Sequence, residues 1–343
     1  FARRRYIMDE IKRAAAGLVE KMTLEEKTSL LSGFDFWRLK GVERLGIPMI
    51  AVSDGPHGLR KQPYGKDQLG INGSSPATCF PTAATTACSF DRALLGEIGR
   101  AIGEECCEED IAVILGPGLN IKRSPLCGRN FEYFSEDPCL AGELAAAYTA
   151  GVQSMNVGVS CKHFALNSQE TRRMSENSVC DERAMREIYL AGFERAVKEG
   201  RPWTVMSSYN RVNGTYACEN QKLLTDILRR EWGFDGLVVS DWGGMDDRAA
   251  AVRAGNDLEM PGVTRETTCM LRDRSEAARL KKNMWTRRRG ASRSLSSKAC
   301  GERSFRTRWR RIMRSRGARR RRARCFSKTK AGYCRATPCR TRP

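Results

Sequence analysis

A chain of 343 residues and 38.4 kDa, 41% hydrophobic and 29% charged, can bury a sizeable core, which excludes peptide-scale and disulfide-stapled folds. Its net charge of +20 is unevenly placed, because residues 1–262 carry 32 Lys and Arg against 36 Asp and Glu, while residues 263–343 carry 28 against 4. The basic excess that would suggest a nucleic-acid binder belongs to the last quarter alone, so the two parts need separate readings.

Residues 1–8 form a short basic extension ahead of the first patterned segment. From Asp9 to Leu31 the apolar positions Ile11, Leu18, Met22, Leu24 and Leu30 interleave with charges, which predicts helices lying on a core. Short apolar runs then recur at Met49 to Val52, Ala112 to Leu115, Val157 to Cys161, Thr204 to Ser207 and Leu237 to Ser240, with a sixth at Asn256 to Met260. Between them lie helical patterns at Asp91 to Glu108, Pro138 to Met155, Glu182 to Glu199 and Gln221 to Trp232. Buried parallel strands alternating with helices give an α/β domain over residues 9–262. Polar groups follow almost every strand at once, as in Ser53-Asp54-Gly55-Pro56-His57, Lys162-His163-Phe164 and Ser240-Asp241-Trp242. That spread over many strand ends suits the active face of a (β/α)8 TIM-type barrel, incomplete at its C-terminal end, better than the single switch point of an open sheet.

No run of about 18 apolar residues occurs, and the N-terminus lacks the apolar core of a secretory signal, so no membrane partner and a cytoplasmic setting are expected. The 14 Cys are scattered without paired ligand spacing and the chain has only His57 and His163, so neither metal nor cofactor is expected. Residues 263–343 form an Arg-rich tail with 23 Arg, 5 Lys and 5 Cys and no strand-like run. Three readings compete for it: a nucleic-acid-binding tail, a disordered one, or an out-of-frame translation. The last fits best, because disordered tails usually lack Cys and Trp; no specific nucleic-acid partner is expected.

The strand-end groups have a chemistry in common. Asp54 and Asp241 are carboxylates at strand ends, Trp242 is an aromatic platform, Lys162 and His163 are adjacent, and Arg129 stands in a loop rich in acids and aromatics. No phosphate-binding glycine loop and no Gly-x-Ser-x-Gly elbow is present. Carboxylates with an indole suit a polyhydroxylated ligand, where many hydrogen bonds replace water and the ring covers a sugar face. Each residue also has a plainer reading: Asp54 as a turn cap, His163 as a core histidine, Lys162 as a solvated charge, Glu132 as a structural acid and Trp232 as packing.

Eight ordered blocks between residues 9 and 262, among them Ser53 to Gly58, Gly116 to Asn120, Gly128 to Pro138, Lys162 to Ala165, Met206 to Asn210 and Gly233 to Trp242, resemble glycoside hydrolase family 3. The resemblance implies a β-glucosidase-like enzyme that acts on β-glycosides or oligosaccharides by a retaining, two-carboxylate mechanism. Asp241 matches the nucleophile, and Asp54, Arg129, Lys162, His163, Tyr209 and Trp242 match sugar-binding positions, with Arg173 and Met206 lining the same subsite. The loop Ala165 to Glu170 departs from the hexosaminidase branch, which favours the β-glucosidase one. A second α/β domain, which in this family often supplies the acid/base carboxylate, is not recognisable here. The resemblance therefore implies a nucleophile-bearing half-enzyme, with a catalytically silent sugar-binding fragment as the alternative.

Overall fold

The apolar runs are short and rich in β-branched residues, and they pair side by side into one curled sheet. In the computed structural model, which describes residues 13–62 and 73–262, nine strands are formed. They are β1 (Arg38–Leu39), β2 (Ile50–Asp54), β3 (Val113–Leu115), β4 (Gly158–Phe164), β5 (Asn177–Ser178), β6 (Thr204–Ser207), β7 (Arg211–Val212), β8 (Thr215–Tyr216) and β9 (Leu237–Ser240). The main sheet has the order β1-β2-β3-β4-β6-β9, and β5, β7 and β8 form a small separate sheet. Strands β2, β3, β4, β6 and β9 are parallel, with Val52 opposite Val113, Val113 opposite Gly158, and Thr204 opposite both Ser160 and Leu237.

Strand β1 departs from the all-parallel pattern by running antiparallel to β2. Leu39 and Ile50 bound a connection too short for a parallel crossover, which needs a dozen or more residues, so the chain can only turn back on itself. The expected sixth run at Asn256 to Met260 is present as single bridges, not a regular strand. Leu258 pairs in parallel with Val239, Glu259 pairs in parallel with Ser32, and Gly33 pairs antiparallel with Leu39. These bridges carry hydrogen-bonded pairing from β9 back to β1. The strand expected to end at Cys161 continues to Phe164, which brings Lys162 and His163 into β4 itself.

Alternation along the strands divides the core in two. Ile50, Val52, Val113, Leu115, Met206, Leu237, Val239 and Leu258 form an apolar cluster inside the curl of the sheet. Their neighbours Ala51, Ile114, Val205 and Val238 face the helices. The latter are α1 (residues 13–21), α2 (Leu24–Ser29), α3 (Ala83–Ala87), α4 (Arg92–Glu108) and α5 (Pro138–Gln153), followed by helical stretches over 182–200, Lys222–Glu231 and Arg248–Ala254. Asp91 and Asp137 start the two long helices, each accepting from two backbone N–H groups of the first turn, and Pro138 sits where its missing N–H costs nothing. Helices α4 and α5 cross closely at Gly151, where a Cβ would stand 2.2 Å from the carbonyl oxygen of Gly96. Trp232 packs edge-on against Phe164, 5.8 Å between ring centres, in the outer core.

The expected extension 1–8 and the Arg-rich tail 263–343 lie outside the described residues. Among the described residues no helix is long and apolar enough to cross a membrane.

Candidate active site

Because parallel strands point their C-terminal ends the same way, side chains far apart in sequence meet at one end of the sheet. Asp54 closes β2, Lys162 and His163 close β4, Met206 lies in β6 with Tyr209 just beyond it, and Asp241 and Trp242 follow β9. All nine residues singled out in the sequence, these seven with Arg129 and Arg173, line one pocket of about 210 Å³. Phe36, Trp37, Arg60 and Leu115 complete its wall.

The floor is a chain of buried charges. Lys162 is 3% exposed, so it is not a solvated lysine, and its Nζ lies 2.7 Å from Asp54 Oδ1 and 3.5 Å from Glu132 Oε2. Arg129 donates from Nε to Glu132 Oε1 at 2.5 Å and from Nη2 to His163 Nε2 at 2.6 Å. A guanidinium can only donate, so His163 Nε2 carries no proton and Nδ1–H donates to the Tyr133 hydroxyl at 3.0 Å. Burial, followed by the charges of Arg129, Lys162 and Arg173, holds the His163 pKa well below that of a free imidazole. His163 is thus neutral, and its 3.5 Å approach to Asp241 is not an ion pair.

Two elements fix this geometry. The side-chain amide of Asn120 grips the backbone of His163 on both sides, accepting from its N–H at 2.8 Å and donating to its carbonyl at 2.9 Å. Gly118 lets the 116–120 stretch pass beneath Tyr133, since a Cβ there would lie 2.8 Å from the ring. Three aromatics make the opposite wall: Trp242 lies 5.5 Å from Trp37 and 6.3 Å from Phe36, centre to centre, and its Nε1 donates to the Phe36 carbonyl at 2.8 Å. Across the pocket the Arg173 guanidinium stacks over Tyr209 at 4.5 Å.

The two strand-end carboxyls are tuned in opposite directions. Burial works to raise the Asp54 pKa, but the charge and hydrogen bond of Lys162, with help from Arg129, outweigh it and hold the group below the usual carboxylate range. At Asp241 burial wins, and the pKa is raised despite Arg129, the Trp242 N–H, Lys162 and Tyr209. Asp241 accepts from the Trp242 N–H through Oδ1 at 2.8 Å, while its buried Oδ2 and the buried Nη1 of Arg129 have no hydrogen-bond partner among the described residues. Arg129 Nη1 lies 3.9 Å from Glu170 Oε1, beyond hydrogen-bond reach, so both atoms keep pairing capacity that the described residues leave unused.

A raised carboxyl in the folded state means that folding disfavours the ionised form. The cost is absent below the unfolded-state pKa and fully present above the raised one. Asp241→Asn should therefore raise the melting temperature by about a few degrees at neutral pH, and the gain should vanish as pH falls through the carboxylate range. Melting curves from pH 3 to 8 test this; a gain that does not change with pH would show that Asp241 titrates normally.

Sequence reasoning missed part of the site. Trp37 and Phe36 precede the first strand and meet Trp242 only across 206 residues, with no local pattern to announce it. Glu132 reads as merely structural in the sequence, Glu170, whose carboxylate lies 3.9 Å from Arg129 Nη1 and 3.2 Å from Arg173 Nη1, has no signal beyond its loop, and nothing singles out Arg60. Among the described residues no group of three or more His, Cys, Asp or Glu converges as a metal site.

Comparison with known proteins places this geometry in context. Residues 15–270 match the family model described as the glycosyl hydrolase family 3 N terminal domain. Thermostable beta-glucosidase B of Acetivibrio thermocellus is 59% identical over 250 residues, covering 72% of this chain and 33% of the relative. An exo-alpha-(1->6)-L-arabinopyranosidase of Bifidobacterium longum is 54% identical over 244 residues, covering 71% and 32%. The structure of beta-glucosidase 3B from Thermotoga neapolitana with glycerol superposes with a TM-score of 0.74 at 40% identity, covering 82% of this chain and 42% of that one. The chain thus spans about a third of the length of the curated relatives it matches.

Proposed function

Since the chain belongs to glycosyl hydrolase family 3, we propose that it is the nucleophile-bearing part of a retaining glycosidase that acts on β-glucosides or related β-glycosides. The observation that carries this reading is the convergence of Asp241, whose Oδ2 has no hydrogen-bond partner among the described residues, with Met206 and seven polar or aromatic partners on one pocket of monosaccharide scale. Asp54, Lys162, Arg129 and His163 offer acceptors and donors to sugar hydroxyls, and Trp242 offers an apolar face to the ring. The ring of pairings, closed through residues 31–33 and 257–260, supports reading the domain as a (β/α)8-type barrel with β1 reversed.

In the proposed reaction an Asp241 carboxylate oxygen bonds to the anomeric carbon while the bond from that carbon to the leaving oxygen breaks, and the leaving oxygen keeps the electron pair. An alkoxide needs a proton from a general acid, which we do not assign to this chain. A dinitrophenolate leaves without one. Water, which loses a proton to the solvent, or an added anion such as azide then bonds to the same carbon as its bond to the Asp241 oxygen breaks, which restores the carboxylate. The nine cysteines among the described residues are scattered through the fold, four of them buried, which supports a reducing, cytoplasmic setting.

The test is mass labelling with 2,4-dinitrophenyl 2-deoxy-2-fluoro-β-glucoside, which forms the glycosyl-enzyme quickly and hydrolyses it slowly. One adduct per chain, on the peptide containing Asp241, is expected, together with a stoichiometric burst of phenolate. The corresponding α-L-arabinopyranoside should be run beside it, given the names of the relatives. A chain that binds an iminosugar but takes no label is instead a catalytically silent sugar-binding fragment.

A further inference from the structure

Glu132 does not itself line the pocket, yet it contacts two cations that do, Arg129 and Lys162. It ends the single turn Asn130–Glu132, three residues after Arg129, and its N–H donates to the Arg129 carbonyl at 3.1 Å. Its side chain is turned inward at 6% exposure, with Oε1 taking the Arg129 Nε at 2.5 Å and Oε2 lying 3.5 Å from Lys162 Nζ. Charges therefore alternate along the floor as Asp54, Lys162, Glu132, Arg129. Resting on the glycosidase reading, we propose that Glu132 is a positioning residue: its carboxylate sets the spacing of Arg129 and Lys162 and offsets the positive field they direct at Asp241.

The physical argument is one of like charges in a poorly screened space. Lys162 and Arg129 are both nearly buried, and without a carboxylate between them they repel across a low-dielectric gap. Each is also tied to a sugar-facing group, Lys162 to Asp54 and Arg129 to His163, so a displaced cation carries its partner with it. The charged and titratable groups around Asp241 include Arg129 and Tyr133 from the 128–138 loop, Lys162 and neutral His163 from β4, Tyr209 beyond β6, Arg173, and the carboxylates Asp54, Glu132 and Glu170. Of these, Glu132 is the carboxylate in contact with both Arg129 and Lys162, the two cations that hold the Asp241 pKa down.

Glu132→Gln keeps the shape and removes the charge; Glu132→Asp keeps the charge and shortens the reach. Labelling of the whole chain by the fluoroglucoside, followed against pH, separates the two effects. For Glu132→Gln the concentration giving half-maximal labelling rate should rise about tenfold or more. Its acid limb, set by Asp241, should move down by about half a pH unit, because the cations act on the nucleophile without their counter-charge. Glu132→Asp should weaken binding but leave the acid limb in place. Unchanged affinity in both variants overturns the proposal, and so does an equal shift of the limb in both, since that would mark water entry, not charge. If near-UV circular dichroism shows Glu132→Gln unfolded, Glu132→Asp decides on affinity alone. Failure of the wild-type chain to label sinks the glycosidase reading instead. Calorimetric titration of the three proteins with isofagomine, an iminosugar, then still carries the test, and equal affinities overturn the role of Glu132.

Discussion

Asp241→Asn should release phenolate from dinitrophenyl β-glucoside at least about 10⁴-fold more slowly than the wild-type chain, a barrier higher by about 5 kcal/mol. A carboxamide is uncharged and too weak a nucleophile to displace even a good leaving group, while the rest of the pocket is left intact. The melting experiment described above shows separately whether the variant is folded. Added azide gives a second readout. In the wild-type chain it should intercept the glycosyl-enzyme and yield the β-glycosyl azide. In Asp241→Asn it takes the place of the missing carboxylate, attacks from the opposite face and yields the α-anomer. Undiminished phenolate release by Asp241→Asn would remove Asp241 from the role of nucleophile.

Asp54→Ala should weaken binding of an iminosugar by about 100-fold, near 3 kcal/mol, with little change in melting temperature. Asp54 keeps 34% of its side chain exposed toward the pocket, and Lys162 retains Glu132 as a partner after the change. The loss should therefore fall on the ligand more than on the fold. Acidification gives a related result. A lowered carboxyl stays ionised below the pH at which a free Asp is protonated; its modest contribution to the native state is fully present above the unfolded-state value, declines below it and is gone once pH has fallen through the lowered one. An affinity left untouched by Asp54→Ala would return Asp54 to the role of turn cap, and a large fall in melting temperature would mark it as structural.

How much was legible in the sequence follows from the range of the forces involved. Thr204–Ser207 and Leu237–Ser240 were found to the residue, because a buried parallel strand is written as a continuous apolar run with polar ends. Helices α4 and α5 were found because Asp91 and Asp137-Pro138 announce their starts locally. The direction of β1 was not legible, since it depends on what a two-residue strand pairs with, and two residues hold no period. Nor was the length of β4: Lys162 and His163 look polar and terminal, yet burial by ion pairs and by Asn120 keeps them within the strand. The nine residues that line the pocket could be named because strand ends and the family resemblance mark them. The role of Glu132 could not, because what matters is that it stands between Arg129 and Lys162, and only the fold brings those two to the same carboxylate.

The bridge between Ser32 and Glu259 joins positions 227 residues apart, and the indole of Trp242 rests on the carbonyl of Phe36 across 206. On a ribosome these partners emerge at opposite ends of the translation of the domain. The segment at 31–33 and the open side of β9 each present unpaired backbone until residue 259 is clear of the exit tunnel, an interval in which a neighbouring chain could add to either edge. The aromatic wall of Phe36, Trp37 and Trp242 can close only once Trp242 has been added. A nascent chain stalled before residue 242 would therefore carry Asp54, Lys162 and Arg129 without the indole that lines the same pocket.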